Sequence, residues 1–162
     1  MKSTYKIRIA DRNASQYDVV DAYSLKIVAM PKGLNPIQSK LMNQDIFRCD
    51  MGSFELLHSS ARSMDGIPGV LVLEGNKTFG KRNKKYYYKC IPDDKRLPIF
   101  LVAYSVKLGF NKNIKNKYVV FKYKEWTGKH PVATLVNNLG NVTELDNFYE
   151  YQLYCKSLYA SI

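Results

Sequence analysis

The stretch YVVFKYKEW, Tyr118 to Trp126, decides the expected fold of this chain. Val119, Phe121 and Tyr123 occupy every second position in it, and a period of two is typical of a β-strand with one buried face. Short runs of β-branched and aromatic residues recur on both sides of this stretch, separated by Gly, Pro and Asn. Few long segments show a helical period. The sequence therefore predicts a mainly β protein.

The same pattern gives the expected elements. Strands are predicted at Tyr5–Ile9, Leu25–Met30, Asp45–Cys49, Phe54–Leu57, Gly69–Glu74, Lys85–Ile91, Phe100–Val106, Lys117–Trp126 and Ala133–Asn137. A C-terminal helix is predicted after Asp146, which can cap a segment with Tyr149 and Leu153 at helical spacing. A shorter helix is predicted over Pro36–Asn43.

Two small domains fit the length of the chain. Five strands of about six residues and their connections need roughly 54 residues, and the chain has 162. The polar segment Pro92–Pro98, bracketed by prolines, lies between two strand-rich halves. We therefore expect two five-stranded barrels of the OB or cold-shock type in tandem. The first, with an N-terminal extension, covers residues 1–95, and the second covers residues 96–162 and includes the C-terminal helix.

The charge of the chain is concentrated in one third of it. The formal net charge is +11, and the stretch Lys77–Lys129 alone contains 15 Lys and Arg residues against three Asp and Glu. With 46% apolar and 24% charged residues, the composition is that of a globular protein and excludes a disordered or collagen-like chain. A basic excess confined to one region indicates a surface that binds a polyanion.

The segment KTFGKRNKKYYYKC, Lys77 to Cys90, combines these cations with aromatic residues. In a strand, Tyr86 and Tyr88 share one face, while Tyr87 and Lys89 share the other. One face can stack bases while neighbouring lysines hold phosphates, which is how sequence-tolerant single-strand binding works. The alternative is a solvated hairpin whose tyrosines pack in the core on one side.

A second basic and aromatic patch lies in Lys117–Trp126, where Lys122, Lys124 and Trp126 belong to one strand face. Trp126 either stacks on a base or fills space in the hydrophobic core. Together the two patches give the predicted RNA-binding residues. Phe79, Tyr86, Tyr88 and Trp126 are expected to stack on bases, and Lys77, Lys81, Arg82, Lys84, Lys85, Lys122 and Lys124 are expected to neutralise phosphates.

No catalytic or metal site is predicted. Asp93 and Asp94 are the only adjacent acids, whereas a two-metal nuclease needs several converging carboxylates. We expect them to serve a turn and to pair with Lys95 or Arg96. Three cysteines without a C-x-x-C pair indicate neither a disulfide framework nor a zinc site. With no signal peptide and no apolar run long enough to span a membrane, the chain is expected to be intracellular, in the cytoplasm, and not membrane-bound.

Three segments resemble a known family. YYYKCIPDDKRLPIFLVAY, Tyr86–Tyr104, resembles the junction between the two cold-shock-type OB barrels of the ribonuclease II/R (RNB) exoribonucleases. The segment Tyr118–Tyr154 is similar to the second of those barrels, with its strand ending in Trp126 and its later Leu139–Gly140. Leu56–Gly80 resembles the first barrel in the divergent members encoded by large DNA viruses.

The resemblance implies a module that binds single-stranded RNA for 3′-to-5′ degradation and is not hydrolytic alone. In that family a separate domain with clustered aspartates and Mg²⁺ performs hydrolysis, so no cofactor is expected in this chain. The implied partners are single-stranded RNA and a separate or fused RNB catalytic domain. Two alternatives stay open. One is a virion-associated or structural basic protein that binds nucleic acid or an acidic partner non-specifically, and the other is a metal-dependent ribonuclease that uses Asp93 and Asp94.

Overall fold

The computed structural model describes residues 3–50, 53–106 and 114–160. It divides the chain into two compact units. Met1–Ser63 and Asp94–Pro98 form the first unit, and Met64–Asp93 and Ile99–Ile162 form the second. The elements are strands in the main, as predicted. Within the described ranges, no helix is both long enough and apolar enough to cross a membrane.

The first unit contains an open antiparallel sheet rather than the predicted barrel. Its strands are β1 (Ser3–Ile9), β2 (Tyr17–Asp21), β3 (Ile27–Val28), β4 (Ile46–Asp50) and β5 (Ser53–His58). Their order is β3-β2-β1-β4-β5, so β3 and β5 form opposite edges. The expectation of a first barrel was therefore wrong. Closing a sheet requires tilted edge strands that can pair with each other, and β3 has only two residues.

One face of this sheet carries a core of Ile7, Ile9, Val19, Leu41 and Phe47. The first unit also contains the short helix α1 (Ser60–Ser63). The helix predicted over residues 36–43 is absent, because this part of the chain forms turns. Lys40 has a φ of +56°, and a residue in the left-handed region interrupts a right-handed helix.

The second unit contains a closed five-stranded barrel. Its elements are β6 (Ile67–Leu71), β7 (Lys81–Arg82), β8 (Lys85–Pro92), β9 (Phe100–Tyr104), β10 (Lys117–Glu125), β11 (Val132–Asn141) and α2 (Leu145–Ala160). The strand order is β6-β10-β11-β9-β8, and β8 pairs again with β6 to close the ring. The pairing of β9 with β11 is parallel, and the other pairings are antiparallel. The short β7 adds a hairpin to β8.

The barrel core explains why these strands close. Phe100 and Phe121 are fully buried, with ring centroids 5.1 Å apart. Gly69 lets β6 approach them, because a Cβ there would lie 2.7 Å from the Ile91 carbonyl oxygen and 2.8 Å from the Phe121 ring. A side chain at position 69 would therefore push β6 away from β8 and β10.

The barrel uses strands that the sequence assigned to the first domain. The predicted boundary falls between residues 95 and 96, whereas the barrel begins at β6 and includes β8. Pro92–Pro98 joins two strands that pair with each other, and Asp94–Pro98 groups with the first unit. This segment is a connection between neighbouring strands of one barrel. Leu56–Gly80, which resembles a first barrel, contributes β6 to this one.

Helix α2 packs against β6, β10 and β11. Tyr151 and Cys155 are buried there with Val120 and Leu139, and the Tyr151 ring stacks on Tyr118 at 4.4 Å between centroids. The helix was predicted correctly, but its cap was not. It begins at Leu145, so Asp146 lies inside the first turn, where a negative charge suits the helix dipole.

Candidate nucleic-acid interface

The three consecutive tyrosines of β8 point to two sides of the barrel wall. Tyr88 pairs with the fully buried Val102, and Cys90 pairs with the fully buried Phe100. The Tyr88 side chain is itself only 3% exposed, and burial raises its pKa. Its ring belongs to the core, which corrects the expectation that it stacks on a base. Tyr87, on the opposite face, is partly exposed.

A groove of about 830 Å³ runs beside Tyr87. Its lining residues come from the β7–β8 turn and from four strands of the barrel or their ends. They are Asn83, Lys84, Lys85, Tyr87, Ala103, Tyr104, Ser105, Lys124, Val132, Ala133, Thr134 and Leu135. Three of the predicted phosphate-binding lysines therefore line one groove with an aromatic ring. None of its lining residues carries a carboxylate, so an anion entering the groove meets positive charge alone.

The β7–β8 hairpin fixes Lys84 and Lys85 beside this groove. Lys81 pairs with Tyr86 and Arg82 with Lys85, so Asn83 and Lys84 form the turn. Asn83 has a φ of +57°, a conformation that Asn tolerates better than most residues and that hairpin turns require. The side chains of Lys84 and Lys85 are exposed. The turn sequence thus presents two cations at the end of the strand that carries Tyr87.

Phe79 forms a second aromatic and cationic cluster. The Lys77 and Lys89 ammonium groups lie 5.4 and 5.3 Å from the centre of its ring. The His130 ring approaches it edge to face, with centroids 6.3 Å apart. Phe79 is half-buried, so its ring is held in place while part of it stays accessible. We call Lys77, Phe79, Lys89 and His130 the Phe79 cluster.

The other predicted site residues are not among those that line the groove or form the Phe79 cluster. Tyr86 is 43% exposed, and the Lys81 ammonium group lies 5.6 Å from its ring centre. Lys122 is exposed on β10, two residues before Lys124, and Trp126 is half-buried just after that strand. The side chain of Arg82 falls outside the described part of the structure.

The charge distribution matches the position of the groove. The second unit contains 14 Lys and Arg residues against seven Asp and Glu, while the first unit has 11 against seven. Three of the acids in the second unit, Glu144, Asp146 and Glu150, lie just before or within α2. The positive excess is therefore carried largely by the strands and loops of the barrel.

Asp93 and Asp94 form hydrogen bonds with different parts of the structure. Asp94 accepts hydrogen bonds from the Arg96 backbone N–H and from two nitrogens of its guanidinium, each at 3.0 Å. This confirms the predicted turn and its pairing with Arg96. Asp93 is hydrogen-bonded to Tyr151 and Cys155. Burial, together with the Asp93 carboxylate, raises the pKa of the Cys155 thiol to about 12. Across the described residues, no three His, Cys, Asp or Glu side chains form a set that could hold a metal ion.

Tyr87, Tyr104, Lys89 and His130 are among the interface residues that the sequence did not predict. Tyr87 was placed on the face opposite the proposed base platform, although Lys85 and Lys89 flank it at a spacing of two, which is the signal of an exposed strand face. His130 was not among the predicted site residues. Nothing in the local sequence around His130 indicates its contact with Phe79, because the two are brought together by the fold.

Part of the barrel matches a known protein family. Residues 87–151, less than half of the chain, match the family model of the Dis3-like cold-shock domain 2 (CSD2). No curated protein matches the chain. The matched residues cover β9, β10, β11 and parts of β8 and α2. They include most of Tyr118–Tyr154, which resembles the second cold-shock barrel, and most of Tyr86–Tyr104, which resembles the junction before it. This part of the chain is therefore similar to the second cold-shock domain of Dis3-like proteins, an OB-fold domain of the RNB-family exoribonucleases.

Proposed function

We propose that the protein binds single-stranded RNA along the groove beside Tyr87. The observation that carries this proposal is the lining of the groove, which combines the Tyr87 and Tyr104 rings with Lys84, Lys85 and Lys124 and contains no carboxylate. Stacking of bases on an aromatic ring, with lysines on the phosphates, gives affinity without sequence preference. The similarity of residues 87–151 to a cold-shock domain supports the same function.

The groove also offers groups that favour RNA. Ser105 and Thr134 line it, and their hydroxyls can donate to a phosphate or exchange hydrogen bonds with a ribose 2′-OH. Contacts to the 2′-OH distinguish RNA from DNA. In this proposal Tyr87 stacks on a base, the lysines hold the backbone, and the hydroxyls contact the sugar. Phe79, Tyr86 and Trp126 contact neighbouring bases, and Lys77, Lys81, Arg82 and Lys122 add phosphate contacts.

The similarity to an RNB-family domain supports a proposal for the biological role. The chain guides the RNA strand to an RNB catalytic domain, separate or fused, that degrades it from the 3′ end in the cytoplasm. This chain holds the RNA and does not hydrolyse it, and Mg²⁺ acts in the catalytic domain. Asp93 and Asp94 support this division of work, because both are engaged in structural hydrogen bonds.

A competition experiment tests the proposal on the full chain. A fluorescent 12-nucleotide oligouridine is bound, and unlabelled RNA, single-stranded DNA, duplex DNA and heparin compete with it. We expect single-stranded RNA to compete best, and Tyr87→Ala to lose affinity while Tyr23→Ala, a change in an exposed ring of the first unit, does not. Equal competition by heparin and duplex DNA, with Tyr87→Ala unchanged, would instead indicate a structural basic protein that binds polyanions without selection.

A further inference from the structure

The Phe79 cluster lies directly beside the groove. The Phe79 backbone N–H donates to the Tyr87 carbonyl at 2.9 Å, and the Tyr87 N–H donates to the Gly80 carbonyl at 2.9 Å. Lys89, whose ammonium lies over Phe79, is two residues from Tyr87 on the same face of β8. Two residues of a strand span about 6.7 Å. Main-chain hydrogen bonds thus hold Phe79 next to Tyr87, and Lys89 places its ammonium over Phe79 from two residues further along β8.

The cluster has the composition of a nucleotide-contact site. Phe79 offers a partly exposed ring that is framed by Lys77 and Lys89, and the His130 ring supports it from the side. The two cations stand over a ring that an incoming base would cover. A base that displaces these cations from the ring face leaves them beside it, where they can hold its phosphate.

His130 differs from every other residue of the interface because histidine is the side chain whose ordinary pKa lies closest to neutral pH. Burial lowers its pKa, and the positive charges of Lys129 and Lys89 lower it further. From the elements packed around it, the charged groups are Lys77 on the segment before β7, Lys89 on β8, and Lys129 on its own turn. All of them are cations, so they favour the neutral imidazole in the free protein.

We propose that the Phe79 cluster is a second contact site for the same RNA strand, and that His130 gains a proton when a phosphate binds there. This inference rests on the proposed function of the groove. A phosphate beside Lys89 and Lys129 offsets the positive charge that disfavours the imidazolium. The imidazolium in turn donates a hydrogen bond to the phosphate, and such charge-assisted bonds are stronger than neutral ones. RNA binding is thereby linked to proton uptake.

The sign of the pH dependence follows from this linkage. His130 has a pKa below 6.5 in the free protein and a higher pKa in the complex. Above both values the imidazole is neutral in both states, and the affinity does not depend on its titration. As the pH falls through the bound-state pKa the affinity rises, and it levels off below the free-state pKa. The gain is about tenfold for each unit by which the two pKa values differ.

Calorimetry of the full chain with oligouridine measures the proton directly. Titrations at about pH 6, close to the ordinary pKa of histidine, are run in two buffers that differ in ionisation enthalpy. The difference in heat gives the protons taken up. We expect a net uptake of up to one proton in the wild type and in His58→Asn, and none in His130→Asn. The control is matched because the chain has two histidines, and His58 lies in the first unit.

Binding without proton uptake in the wild type would overturn this inference and leave the proposed function standing. The same holds if His130→Asn still takes up the proton. Absence of RNA binding in any buffer would overturn both. Because His130→Asn could disturb the packing on Phe79, a second measurement uses the unaltered protein. The His130 imidazole resonance is titrated by NMR with and without oligouridine, and a pKa that is not raised by RNA contradicts the proposal.

Discussion

Tyr87 and Tyr88 are consecutive residues of β8, and they lie on opposite faces of the strand. Tyr88 packs in the barrel core edge to face against Tyr104, with ring centroids 6.5 Å apart, and is 3% exposed. Tyr87 lines the groove with three lysines. The same side chain, shifted by one position, therefore serves stability in one case and the candidate RNA interface in the other.

This relationship gives a matched pair of substitutions. Tyr87→Ala is expected to weaken oligouridine binding by about 1–3 kcal/mol, the usual value of one base stacked on an aromatic ring, with little change in melting temperature. Tyr88→Ala is expected to lower the free energy of unfolding by about 3–5 kcal/mol, as for other large aromatic residues removed from a core. Binding and thermal melting of both variants check this. A binding loss confined to Tyr88→Ala in a folded protein would reverse the two roles.

The lysines of the groove are expected to act on the salt dependence of binding rather than on stacking. Each phosphate contact to a single strand contributes about −0.7 to the slope of log K against log salt. Lys84→Ala, Lys85→Ala and Lys124→Ala are each expected to flatten the slope by about that amount. Lys32→Ala, an exposed lysine of the first unit, is the control. Anisotropy titrations over a range of salt concentrations measure the slope, and equal effects of all four variants would contradict the groove as the binding site.

The elements of the barrel could be predicted from the sequence because their signals are local. The alternation of Val119 and Phe121 fixes the buried face of β10, and both are fully buried. The closure of the barrel has no such signal, since Gly69 pairs with Pro92 across a long loop. In the first unit, strand β2 was not predicted. The sheet there stays open because its edge strand β3 has only two residues. Local patterns do not specify which strands pair or where a sheet ends.

The candidate site shows the same limit. The lysines of the β7–β8 turn were identified from charge alone, and three of the predicted lysines line the groove. The prediction placed the base-stacking face of β8 on the side of Tyr88, whereas Tyr88 is buried and Tyr87 lines the groove. Both faces of β8 carry tyrosines, so the apolar pattern alone does not show which face is buried. His130 meets Phe79 through contacts between segments about 50 residues apart in the chain, which no spacing rule predicts. Sequence patterns predict which residue types form an interface more readily than which of these residues the fold brings together.

Two glycines test the packing of the barrel. At Gly69 an added Cβ meets the Ile91 backbone and the Phe121 ring at under 3.0 Å, whereas at Gly128 it meets nothing within 4 Å. Gly69→Ala is expected to cost about 1–3 kcal/mol, as overpacking does, and Gly128→Ala to stay within about 0.5 kcal/mol of the wild type. The single tryptophan, Trp126, lies in the second unit, so its fluorescence during urea unfolding reports on the barrel. Equal stability of the two variants would contradict the close approach of β6.

The last prediction concerns Asp93 and Mg²⁺. Hydrolysis by paired metal ions needs several carboxylates around them, and Asp93 instead accepts hydrogen bonds from Tyr151 and Cys155 beneath α2. We expect labelled RNA to stay intact with the full chain in Mg²⁺ or Mn²⁺. Asp93→Asn is expected to lower the free energy of unfolding by about 1–3 kcal/mol, because hydrogen bonds to a charged group are lost, while RNA affinity stays unchanged.

Asp65→Asn, a change at an exposed acid of the same unit, is the matched control and is expected to leave both stability and affinity unaltered. Calorimetry with Mg²⁺ distinguishes a structural aspartate from a metal ligand, because only a ligand produces a binding heat that its removal abolishes. A Mg²⁺ isotherm in the wild type that is lost in Asp93→Asn and kept in Asp65→Asn, together with RNA cleavage that follows the same pattern, would make the chain a nuclease in its own right. Its groove would then deliver RNA to Asp93 rather than to a catalytic domain elsewhere.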